Sequence, residues 1–164
     1  MDNDSARRRA VSSAAGSLLL DDQLCFALYA ASRAVTQLYR PLLEELGLTY
    51  PQYLVMLVLW ERDHATIGEL ASALELDHGT LSPLLKRLQA AGLLERRRRT
   101  EDERVVDVVL TPAGRELAQR ADAVPQVIVD SYGVDAAEFE GLRTRLRALT
   151  KSVAAARDGR AGPT

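Results

Sequence analysis

Apolar residues along this chain recur mostly at helical spacing, and only one short stretch alternates. Leu81, Leu84, Leu85 and Leu88 fall at i, i+3, i+4 and i+7, which predicts a helix with one core-facing stripe, ended by Gly92. Before it, Ile67, Leu70, Ala71 and Leu74 mark a shorter helix. Thr66 stands at its N-cap, and Glu69 three residues on completes a capping box. Glu75, Leu76 and Asp77 form the link, and Asp77 caps the longer helix. Val106, Val108 and Leu110 alternate, so two strands are expected, at about 93–98 and 104–110.

Four further helices complete the pattern. One starts with Asp21 or Asp22 as N-cap and runs to about Leu46, where Gly47 stops it; Pro41 should kink or interrupt it. The next has Pro51 in its first turn and runs to about Arg62, its unbroken apolar run marking it as core. Thr111 and Pro112 open another that meets Pro125. The last begins at Asp135, with Glu138 three residues later, and aligns Phe139, Leu142, Leu146, Leu149 and Val153. Such a stripe at the end of a chain needs an apolar partner. A dimer contact shared with the first long helix is expected, and packing within its own chain is the alternative.

The expected fold is therefore mainly α with a small β-hairpin wing: a winged helix-turn-helix that dimerises through its N- and C-terminal helices. Residues 1–17 read as a mobile tail and 18–50 as a dimerisation and sensing helix. Residues 51–111 form the DNA-binding region and 112–156 the C-terminal dimerisation helices, with a second loose tail over 157–164.

Charge sharpens this picture locally. The whole chain carries a net charge of −2, yet from His78 to Arg99 there are six cations against one anion. On the face of the fourth helix away from the leucines stand Pro83 and Lys86, flanked by Thr80, Ser82 and Arg87. Small residues there permit close approach to duplex DNA, and hydroxyls and cations suit phosphates and base edges. Pro83 has two readings, a structural kink or a contact to a thymine methyl. The hairpin adds Arg97, Arg98, Arg99 and Arg104 for a minor groove. Asp102 is the acid expected to pair with Arg104 and stabilise the wing.

The single cysteine, Cys25, excludes a disulfide framework within the chain and a cysteine-rich zinc site. His64 and His78 stand far apart without cysteine partners, and no phosphate-cradling glycine loop is present, so no metal and no cofactor is expected. No apolar run approaches the roughly 20 residues that cross a bilayer, and a cytoplasmic protein without membrane contact is expected.

The segment GTLSPLLKRLQAAGLLERRR followed by DERVVDVVLTPAG resembles the MarR-type winged-helix repressors. The earlier DDQLCFALYAASRAVTQLYRPLLEELGLTYPQYLVMLVLWE resembles their organic hydroperoxide resistance branch, with the match spanning roughly residues 20–125. The resemblance implies a homodimeric repressor on double-stranded operator DNA, released when Cys25 is oxidised by an organic hydroperoxide. It also implies that Tyr29 and Tyr39 hydrogen-bond the thiolate across the dimer.

The residues bear on this independently. With Asp22 as N-cap, Cys25 is the third helical residue, where unpaired N–H groups and the macrodipole favour an anion, opposed by Asp21 and Asp22. Tyr39 lies fourteen residues on, about 21 Å along one straight helix, so it meets Cys25 only if two helices run antiparallel across a two-fold axis. A buried packing cysteine is the plain alternative. Because a second cysteine is lacking, oxidation should lead to a sulfenic acid, then a mixed disulfide with a low-molecular-weight thiol, or overoxidation. Three other functions share parts of this pattern: a repressor released by a small apolar or phenolic ligand, a thiol peroxidase, and a winged helix that binds only protein.

Overall fold

The structure is a computed structural model that describes residues 17–99 and 105–160, apart from the side chains of 158 and 160. In chain order it contains a 3-10 turn (Leu20–Asp22), α1 (Leu24–Glu45), α2 (Tyr50–Arg62), β1 (His64–Thr66), α3 (Ile67–Leu74) and α4 (His78–Ala90). Then follow β2 (Leu94–Arg98), β3 (Val106–Leu110), α5 (Pro112–Ala121), α6 (Val124–Asp130) and α7 (Ala136–Arg160). The described residues up to Pro125 form one compact unit, and those from Gln126 onward a second.

The first unit is built on α2 and α4. In α2, Tyr53, Val55, Met56 and Leu59 are buried, and in α4 the predicted leucine stripe is buried throughout. Each such side chain contributes roughly 1.5–3 kcal/mol by leaving water. That is several times what an exposed ion pair supplies, so the stripe decides how α4 is seated. Both predicted caps of the helix pair are present. Thr66 Oγ1 accepts from the Glu69 amide at 3.1 Å while a Glu69 carboxylate oxygen accepts from the Thr66 amide at 2.7 Å. Asp77 accepts from the Thr80 amide at 2.8 Å. Glu75 closes α3 in the left-handed region (φ 53), a conformation that costs a residue with a Cβ but turns the chain within two residues.

The expected hairpin is part of a three-stranded antiparallel sheet of order β1-β3-β2. Sequence reading missed β1: three residues between two helices are too few to show an alternation. Its pairing of Ala65 with Val108 puts both inside, Ala65 at 1% and Val108 at 0% exposure. Leu94 opposite Leu110 continues this inner face. His64, Thr66, Asp107, Glu95 and Arg97 occupy the outer one by register.

Three other expectations need correction. The first long helix is not capped by Asp21 or Asp22: both lie in the 3-10 turn, and Gln23 is the N-cap, which makes Cys25 the second helical residue. Gln23 turns its amide back to the carbonyls of Ser17 (2.6 Å) and Leu19 (3.3 Å) and so ties the preceding segment to the helix start. Of the two outcomes expected at Pro41, a kink or an interruption, the interruption does not occur, since α1 continues to Glu45. The expected loose end is helical to Arg160, and α6 is an additional short helix. The remainder of the two tails, residues 1–16 and 161–164, lies outside the described residues. The capping of α7 is as read: the Asp135 side chain accepts from the Glu138 amide at 2.8 Å.

One junction joins four elements. Gly114 in α5 lies so close to the turn after α4 that a Cβ there would sit 2.0 Å from the Leu93 carbonyl oxygen. The indole Nε1 of Trp60 in α2 donates to the Gly114 carbonyl at 2.8 Å, and Thr111 Oγ1 donates to the Gly92 carbonyl at 2.6 Å. Gly114→Ala is therefore expected to cost about 3 kcal/mol or more, since a backbone carbonyl must move. Gly141→Ala, where a Cβ meets nothing within 4 Å, should stabilise α7 by about 0.5–1 kcal/mol. Thermal and urea denaturation of both variants checks the pair.

Candidate nucleic-acid interface and thiol site

The outer surface of α4 is assembled by the leucines beneath it. With Leu81, Leu84, Leu85 and Leu88 inward, Pro83, Lys86 and Arg87 are exposed and Ser82 is half-buried. Thr80 has a structural task as well. Its hydroxyl donates to Asp77 Oδ2 at 2.8 Å, so side chain and amide both serve the N-cap. Those two bonds, the amide first, hold the Asp77 carboxyl below the usual aspartate range. The helix continues through Pro83, which leaves the carbonyl of Gly79 without the amide it would normally meet.

The wing is more internally engaged than its charge suggests. Arg96 Nε donates to Gln89 Oε1 of α4 at 2.6 Å, which ties β2 to the last turn of that helix. Arg97 pairs with Glu95 two residues away on the same face. Arg99 makes a two-pronged pair with Asp107, Nε to Oδ2 and a terminal nitrogen to Oδ1, both 2.8 Å. Its amide also donates to the Val105 carbonyl, so pairing extends one step beyond the strands. Arg98 is exposed. Arg104 and Asp102, expected as DNA contact and wing brace, lie outside the described residues. Sequence reading found the arginines but not Gln89 or Asp107 as their partners. The alternation of β3, which puts Asp107 on the outer face between two apolar residues, was the available signal.

Cys25 is exposed in the first turn of α1. Around it the helix keeps apolar groups in water: Leu24 is 63% exposed and Tyr29 57%. Arg33 reaches back over Tyr29, donating to its hydroxyl at 2.9 Å with the guanidinium 5.6 Å from the ring centre. Tyr39 keeps different company, with ring centres of Tyr50 and Tyr53 at 4.8 and 5.8 Å. Tyr29 and Tyr39 are thus not brought together within one chain. Tyr50, which sequence reading did not single out, stands beside Tyr39 and also lines a cavity of about 290 Å³ with Thr36, Arg40, Leu43 and Leu48. Among the described residues no cluster of side chains could hold a metal ion, and no helix is long and apolar enough to cross a membrane.

Residues 37–121 match the family described as transcriptional regulator SarA/Rot. The organic hydroperoxide resistance transcriptional regulator of Bacillus subtilis is 42% identical over 134 residues, covering 82% of this chain and 91% of that protein. The chain belongs to this family of MarR-type winged-helix transcriptional regulators. This regulator is also 47% identical over 148 residues to the HTH-type transcriptional regulator TtmR of Methylorubrum extorquens, covering 88% of the chain and 72% of TtmR. Among solved structures, reduced AbfR bound to DNA superposes with a TM-score of 0.67 at 36% identity, covering 82% of this chain and 94% of AbfR. The fold expected from the sequence is the fold of this family, and β1 is the element that the sequence did not predict.

Electrostatics at this surface generate a prediction for acid. The carboxyls of Asp63, Asp77 and Asp107 are all held low, the first mainly by its Arg115 hydrogen bonds, the second by Thr80 and the third by Arg99. A carboxyl depressed in the folded state stabilises it above the unfolded aspartate value, and that stability disappears as pH falls through the folded value. The regulator should hold a constant urea midpoint down to about pH 5 and lose stability progressively below about pH 4. Asp107→Asn should flatten this acid slope; urea midpoints measured from pH 7 to pH 3 provide the check.

Proposed function

We propose that this protein is a one-cysteine redox-sensing repressor that binds double-stranded operator DNA as a homodimer and leaves it when Cys25 is oxidised by an organic hydroperoxide. The reading rests above all on the position of Cys25: the sole thiol is exposed at the start of a helix on which Leu24, Tyr29 and Leu38 are exposed as well. A second copy would cover these residues, and likewise Leu142, Leu146 and Val153 of α7, which are 54%, 39% and 60% exposed. In an antiparallel contact, Tyr29 and Tyr39 of one chain would reach Cys25 of the other.

The chemistry is a two-electron transfer. The Cys25 thiolate attacks the terminal peroxide oxygen, the O–O bond breaks, and the alkoxide leaves as an alcohol after taking up a proton, with the sulfur now a sulfenic acid. A low-molecular-weight thiol then condenses with it, forming a mixed disulfide and releasing water. The added bulk displaces the covering helix and with it the half-site spacing of the two α4 helices, on which dimeric binding depends. Thr80, Ser82, Pro83, Lys86 and Arg87 from α4, with arginines of the wing, are the proposed DNA-facing residues. The reaction consumes one peroxide per thiol, which makes it a signal and not turnover, and the setting is cytoplasmic.

The cavity between α1 and α2 favours a second reading, release by a small apolar or phenolic ligand lodged beside Tyr50. Gel shifts on the DNA flanking the protein's own coding region separate the two. Wild type should bind in reducing buffer and lose at least ten-fold in affinity after organic hydroperoxide plus a small thiol. Cys25→Ser should bind equally well and stay bound. A Cys25→Ser protein still released by the inducer would overturn the redox reading in favour of the ligand.

A further inference from the structure

The four arginines Arg96–Arg99 look alike in sequence, but the sheet sorts them onto two faces. Leu94, Arg96 and Arg98 share the inner face, where Leu94 is buried and Arg96 bonds Gln89 of α4. Glu95, Arg97 and Arg99 share the outer face, with Asp107 opposite Arg97 and Thr66 on the far side of Asp107. Thr66 is the N-cap that Glu69 closes. Arg99 therefore lies beside two carboxylates, Asp107 through the two-pronged bond and Glu69 at longer range. Both carboxyls are held low with Arg99 among the causes, a secondary one for Glu69 after its Thr66 bonds.

We propose that Arg99 is a positioning residue and not a phosphate contact: with Asp107 it fixes the base of the wing to the start of α3, and Arg98, on the face turned toward α4, carries the wing's charge to DNA. This rests on the reading of the protein as a duplex binder. The pair differs from the Arg97–Glu95 pair beside it. Arg97 and Glu95 are 67% and 53% exposed and sit on one strand, whereas Arg99 and Asp107 are 46% and 21% exposed and join two strands. A forked guanidinium on both oxygens of one carboxylate fixes an angle as well as a distance. Here it joins Arg99, one step beyond the last paired residue of β2, to Asp107 of β3, so it sets the angle at which the two strands leave the sheet.

The experiment measures duplex affinity from 50 to 300 mM salt for wild type, Arg98→Gln, Arg99→Gln, Arg99→Lys, Asp107→Asn and the Arg99→Gln/Asp107→Asn double variant. The duplex is one selected by the wild-type protein from a random pool, and thermal unfolding shows that each variant is folded. Asp107→Asn is expected to weaken binding about 5- to 20-fold, although removing a negative charge near DNA would by itself strengthen it. Arg99→Gln and Arg99→Lys should weaken it similarly, and the double variant no more than either single, since both remove one interaction. Because each substitution removes two cations from the homodimer, the salt slope should drop by about 1.8 for Arg98→Gln and stay unchanged for Arg99→Gln. An Asp107→Asn that binds as well as wild type or better, an Arg99→Lys that binds normally, or an Arg99→Gln that lowers the slope by about 1.8 would each overturn the proposal. Wild type that selects no duplex at all would instead overturn the functional reading beneath it.

Discussion

The close approach of α5 to the turn after α4 is the constraint on which the first unit depends. At Gly114 the backbones of α5 and Leu93 come together with no room for a side chain, and Trp60, Thr111 and Gly92 satisfy the polar groups that this contact would otherwise strand. From there α4 is held at its C-terminal end, β2 departs at a fixed angle, and β3 returns into α5. Asp63 adds a brace: its carboxylate takes two hydrogen bonds from Arg115 at 2.7 and 2.9 Å, while its carbonyl accepts from the Leu110 amide. The buried leucines of α4 contribute apolar burial, and these polar contacts supply its orientation.

What could be read in the sequence follows from how local each signal is. The capping box at Thr66, the cap at Asp77 and the leucine stripe of α4 are patterns of four to eight residues, and the structure contains all of them. Gly47 and Gly92, both at positive φ, stop their helices as expected. β1 was illegible because it exists only by pairing with a strand some forty residues later. The start of α1 was misplaced because two adjacent aspartates carry the stronger capping signal, yet the 3-10 turn takes them and leaves the N-cap to Gln23, whose side chain makes no cap bond.

The candidate sites divide along the same line. On α4 the exposed residues were those opposite the leucines, so periodicity alone located Lys86 and Arg87. On the wing, identity and number were visible but partnership was not, because Arg99 and Asp107 meet only once the hairpin folds. At the thiol, one chain supplies the cysteine and an aromatic group one turn away, with Arg33 laid over it, while half-buried Tyr39 packs against Tyr50 and Tyr53. A sequence lists such residues without stating which of them meet.

A bond at the opposite end of α1 has a mechanical corollary. Arg120 of α5 donates to the carbonyl of Glu45 at 2.7 Å, placing a cation on the negative end of the 22-residue helix that begins beside Cys25. A helix of that length spans about 33 Å, so if it moves as one piece a push at its thiol end is felt at this strut. If the strut holds, α5 is carried along and Gly114 with it. If it gives way, terminal carbonyls lose their counter-charge and the lever turns freely.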